Sequence, residues 1–143
     1  MQYVARSARE GERVLIEFPD APGCQTFAEP GEDPVEVARE ALEGWLEVQL
    51  QDGDIPPEPH VQADDASFVV RIDSQLAARV QLRLARQRLG VSQGDLAKKI
   101  GVSRQQISQM ESPDSNLTLG TLERVASALG LEVELKLVAR AAG

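Results

Sequence analysis

Val91-Ser92-Gln93-Gly94-Asp95-Leu96-Ala97-Lys98-Lys99-Ile100-Gly101-Val102-Ser103-Arg104-Gln105-Gln106-Ile107-Ser108-Gln109-Met110-Glu111 decides how the C-terminal half folds. Ser92 is placed to cap a first helix, in which Leu96, Ala97 and Ile100 share one face. Gly101 supplies a sharp turn. Ser103 then caps a second helix that turns Ile107 and Met110 inward and leaves Arg104, Gln105, Gln106, Ser108 and Gln109 outward. Arginine pairs with guanine and glutamine with adenine in the major groove, so a helix with this outer face reads base edges. Ser103 at its start belongs to the same face. Gln93, at the start of the first helix, is placed for a phosphate, and Lys98 and Lys99 for the backbone nearby. The bland alternative is a packing unit of two helices with no ligand.

Charge divides the chain in two. Residues 1–73 hold 5 Arg and no Lys against 17 Asp and Glu, a net of −12. Residues 74–143 hold 10 Lys and Arg against 6 acids, a net of +4, which together give the −8 of the whole chain. The basic half suits phosphates, and the acidic half suits a cationic partner. The single cysteine, Cys24, excludes an internal disulfide and reads as a small core residue, while one histidine, His60, leaves no zinc constellation. Neither a metal nor a cofactor is expected. No apolar run is long enough to cross a bilayer and no signal-peptide pattern opens the chain, so a cytoplasmic protein without a membrane partner is expected.

Working outward, Tyr3–Ala8 and Val14–Phe18 read as a hairpin around Gly11, and Cys24–Ala28 as a third strand after the turn-rich Pro19–Gly23. Asp33-Pro34-Val35-Glu36 starts a helix with Asp at the cap, Pro at the first position and Glu three residues on. That helix runs to about Leu50, with Val37, Ala38, Ala41, Leu42, Trp45 and Leu46 on its apolar face and Trp45 as a core anchor. A proline-rich loop through His60, read as solvated, leads to a fourth strand, Ser67–Ile72. Asp73-Ser74 caps a further helix to Leu89-Gly90, where Arg79, Arg83 and Arg86 form a basic stripe read as a solvated face. Thr118 caps a last helix with Leu119, Leu122, Val125, Ala126 and Leu129, which Gly130 stops. Leu131–Val138 then alternates apolar and polar residues over eight positions, as a strand does. A lone strand needs a partner: its copy in a second chain is the economical reading, and return to the N-terminal sheet the alternative.

Two resemblances rest on these residues. Gln93, Leu96-Ala97, Gly101-Val102-Ser103, Ile107-Ser108 and Glu111 resemble the helix-turn-helix of Cro and phage-repressor regulators. Phe18-Pro19-Asp20-Ala21-Pro22-Gly23-Cys24, the Asp33-Pro34 helix and Gly53-Asp54-Ile55-Pro56 resemble landmarks of the HicB antitoxin family. The second resemblance implies an α+β chain: a partial ribonuclease-H-like β-β-β-α-β domain over 1–73, then an all-α helix-turn-helix domain with a C-terminal strand over 74–143. It implies that the first domain binds a HicA-like basic ribonuclease toxin and that the second represses the shared operon by binding operator DNA; the homodimer or higher oligomer is expected from the lone C-terminal strand. No catalytic residue is expected. A nuclease would need Asp20, Asp64, Asp65 and Asp73 to converge on metal ions, yet these acids lie mostly in loops. A stand-alone regulator with an N-terminal sensing domain is the other reading.

Overall fold

The computed structural model describes residues 1–140. Their order is β1 (Gln2–Glu10), β2 (Arg13–Glu17), β3 (Gln25–Ala28), α1 (Pro34–Asp52), β4 (Ser67–Arg71), α2 (Ser74–Arg88), α3 (Gln93–Ile100), α4 (Arg104–Met110) and α5 (Leu119–Ala128). The four strands form one antiparallel sheet in the order β3-β2-β1-β4. Tyr3 pairs with Val70 and Ser7 with Ile16, while Val14 pairs with Ala28. With a side-chain period of two, this register sends Tyr3, Ala5, Ile16, Ala28 and Val70 to one face, where all five are buried.

Against that face lies α1, which buries Ala38, Leu42, Leu46 and Leu50 at four-residue spacing, with Trp45 packed half-buried beside them. Asp33 caps it by accepting from Val35 N at 2.9 Å. Glu36 does not close the expected reciprocal cap. Its carboxylate is drawn instead to Arg39, 2.8 Å away. Gly53, in the left-handed region at φ 82°, ends the helix and returns its N–H to Gln49 and Leu50 carbonyls.

The proline-rich loop after α1 is strapped down rather than loose. Pro56 is fully buried, Tyr3 Oη donates to Pro57 O at 2.8 Å, and the Asp20 carboxylate, 4% exposed, accepts the His60 and Val61 N–H groups at 2.9 Å. The His60 ring itself faces solvent, with Nδ1 2.7 Å from Asp20 Oδ1 but off the axis of an aligned hydrogen bond.

Helix α2 is shared by two cores. Leu76, Ala77, Val80 and Leu84 complete the core under the sheet. Leu82 faces the other way, into a second core with Leu96, Ala97, Ile100, Ile107, Val125 and Leu129. A helix flanked on both sides has little room for a solvated basic stripe, and that expectation is overturned. Arg79 and Arg83 are buried, Arg86 is half-buried, and all three are bonded inside the protein.

Within one chain the expected C-terminal strand does not form. Among the described residues Leu131–Val138 joins no ladder, and the sheet contains only β1 to β4, so it does not return to the N-terminal sheet either. Leu131 N donates to Ala126 O at 2.8 Å, and no described backbone hydrogen bond is made beyond it. Alternation makes a segment amphipathic, but a strand exists only where a second backbone meets it. The end of the 74–143 unit, residues 141–143, lies outside the described residues.

Candidate nucleic-acid interface

Two reciprocal caps build the candidate site. At the start of α3, Ser92 Oγ accepts from Asp95 N at 3.0 Å while Asp95 accepts from Ser92 N. The Asp95 carboxyl sits below its ordinary range, chiefly because Ser92 hydrogen-bonds to it. Gly101, at φ 72°, turns the chain by a left-handed step. At the start of α4, Ser103 Oγ accepts from Gln106 N at 3.1 Å and Gln106 Oε1 accepts from Ser103 N at 2.9 Å. Ile107 is fully buried beneath this helix.

The expected outer face is realised. Ser103, Arg104, Gln105, Gln106, Ser108 and Gln109 are all exposed, with Lys98 and Lys99 exposed on α3. Gln106 spends its amide oxygen on the cap, which leaves its NH2 as a donor. Arg104, Gln105 and Gln109 keep their full hydrogen-bonding capacity, since no described partner holds their side chains.

Gln93 is half-buried and donates its Nε2 to Glu111 Oε2 at 3.0 Å. Glu111 is the buried centre of the unit, 0% exposed. Arg86 grips it with Nε at 2.6 Å and Nη2 at 2.9 Å, and Arg83 Nε lies 3.4 Å from Oε2. Burial pushes the Glu111 pKa up. The hydrogen bonds from Arg86 and Gln93 and the charges of Arg86 and Arg83 outweigh it, so the carboxyl ends below its ordinary value.

Arg83 also ties the unit to the sheet side of the molecule: Nη1 donates to Leu50 O at 3.0 Å and to Asp54 O at 2.9 Å. Arg88 pairs with Glu58, and Arg79 holds the Ser115 carbonyl. The residues that sequence reading missed are thus Arg83, Arg86 and Glu111 as one network. The signal was present in part, because Glu111 closes the helix-turn-helix pattern. A cleft of about 500 Å³ opens between Ile55, Gln93 and Arg104, on the side where α3 begins.

Three of the four acids that a nuclease would need are engaged elsewhere. Asp73 caps α2, Asp64 closes the turn before β4, and Asp20 holds the strap. Among the described residues no group of three or more His, Cys, Asp and Glu is placed to hold a metal. Cys24 is buried and its thiol is pushed up to about 11 by that burial, so it stays protonated near neutrality. No helix of the described residues is long and apolar enough to cross a membrane.

Comparison with known proteins agrees with both halves. A helix-turn-helix family model matches residues 82–136. A protein of Archaeoglobus fulgidus named as an HTH-type transcriptional regulatory protein is 35% identical over 72 residues, half of this chain, which spans only 21% of that larger protein. Antitoxin HicB 2 of Photorhabdus laumondii is 24% identical over 135 residues, 94% of this chain and 95% of that one. Antitoxin HicB of Escherichia coli K12 is 25% identical over 124 residues, 87% of this chain and 89% of that one. Over most of its length the chain is thus similar to proteins named antitoxin HicB, and its C-terminal part matches a helix-turn-helix family model.

Proposed function

We propose that the protein is the antitoxin of a type II toxin–antitoxin pair. In this reading residues 1–73, a partial ribonuclease-H-like platform, bind and block a HicA-like, mRNA-cleaving basic toxin in the cytoplasm. Residues 74–143 bind operator DNA as a homodimer and repress the shared operon. The single observation that carries the reading is the near end-to-end similarity to proteins named antitoxin HicB, because it spans the acidic and the basic half in one alignment. The charge split supports it: a net of −12 over residues 1–73 complements an RNA-binding protein, and occlusion by such a surface requires no catalysis.

The DNA-reading set is Gln93, Ser103, Arg104, Gln105, Gln106, Ser108 and Gln109. Arg104, Gln105 and Gln109 read bases, while Gln93 and the α3 lysines face phosphates. A dimer presents two copies of α4, which fits a palindromic site with half-sites one helical turn apart. Coexpression with the adjacent gene tests the reading. Rescue of growth from that gene's toxicity, together with a copurifying complex of the summed mass, is the expected result. No rescue, with repression of a promoter by the chain alone, would mark a stand-alone regulator instead.

A further inference from the structure

We infer that Leu131–Ala139 is a self-complementary strand whose antiparallel pairing with a second copy is centred on Leu135. The inference rests on the homodimer reading above and adds its register. Along the segment Leu131, Val133, Leu135, Leu137 and Ala139 fall on one side, and Glu132, Glu134, Lys136 and Val138 on the other. Leu135 is 68% and Leu137 101% exposed, and beyond Leu131 N no described backbone hydrogen bond engages this segment. The side-chain pattern therefore lacks both of the partners it calls for, an apolar cover and a ladder.

Charge selects among the ways in which two copies can meet. Parallel pairing in register sets Glu134 against Glu134 and Lys136 against Lys136, which is unfavourable at both positions. Antiparallel pairing centred on Glu134 or on Lys136 places like charges directly across the twofold axis. A centre between residues mixes the apolar with the charged side. A centre on Leu135 sets Glu134 opposite Lys136 twice, Val133 opposite Leu137 twice, and Leu131 opposite Ala139 twice. It also leaves Glu132 diagonal to Lys136 and Arg140 of the other copy. Every apolar residue of the segment except Val138 then shares one side of the ribbon. Because a two-stranded ribbon is marginal by itself, that side must close over the helical units it joins.

Sedimentation equilibrium on the full chain tests the register by charge exchange. E134K and K136E should each weaken the dimer about tenfold, since each replaces two attractive cross-strand pairs with two repulsive ones. The double variant E134K/K136E should restore the dimer to within about twofold. If the wild-type chain is dimeric but the single variants dimerise as tightly as it does, or the double variant is not restored, the register is wrong while the dimer stands. A wild-type chain that stays monomeric overturns both.

Discussion

At the scale of residues, the chain spends most of its arginines on itself. Arg79, Arg83, Arg86, Arg88 and Arg124 all bond to carbonyls, a hydroxyl or carboxylates within the protein. Glu111 is the group on which three elements depend, being bonded from α2 by Arg86 and from α3 by Gln93 while ending α4. Glu111→Ala should cost about 3–5 kcal/mol in urea unfolding, because it strands buried guanidinium groups. Folding lowers the Glu111 pKa, so the unfolded chain binds more protons in that range. The carboxylate's stabilisation is complete above its ordinary value of 4.5 and is lost as pH falls through the lower folded value. Glu111→Gln should therefore remove the part of acid destabilisation that sets in below that value. Arg104 has the opposite role: exposed and unengaged, it is free for a base. Arg104→Ala should cost about 1–3 kcal/mol in operator binding and relax preference at one position in a binding-site selection. Which arginine is buried was not legible in the sequence, because their partners lie 25 to 36 residues away for Arg86–Glu111 and Arg79–Ser115.

At the scale of elements, local chemistry was readable and non-local pairing was not. Asp33, Asp73, Ser92, Ser103 and Thr118 all cap helices as their positions suggest, since a cap needs only the next two or three N–H groups. The hairpin and the positions of the four strands along the chain were equally legible from turn residues and alternation, whereas their order in the sheet was not. The strand expected over 131–138 does not form within one chain, because its amphipathic pattern is intrinsic while its ladder depends on another backbone. Gly101 shows how much one local choice controls. A Cβ there would meet nothing within 4 Å, yet φ is 72°. Gly101→Ala should thus cost about 1 kcal/mol in thermal unfolding through backbone strain alone. A variant as stable as the wild type would show that the turn relaxes out of the left-handed region.

At the scale of the whole molecule, α2 makes one body of the acidic and the basic half. Its residues enter both cores, and Arg83 fastens it to the end of α1. The positive charge left for DNA is correspondingly small: Lys98, Lys99 and Arg104 are the exposed cations of the helix-turn-helix. With about six such cations in a dimer, the logarithm of operator affinity should fall against the logarithm of salt with a slope near −5. A slope near −10 would mean that the internal arginines open outward on DNA. The most direct measurement of the antitoxin reading is inhibition of RNA cleavage. The purified product of the adjacent gene is titrated with this chain while RNA fragments are followed. Complete inhibition at a fixed stoichiometric ratio is the predicted result, and cleavage that continues unchanged in excess of the chain would contradict it.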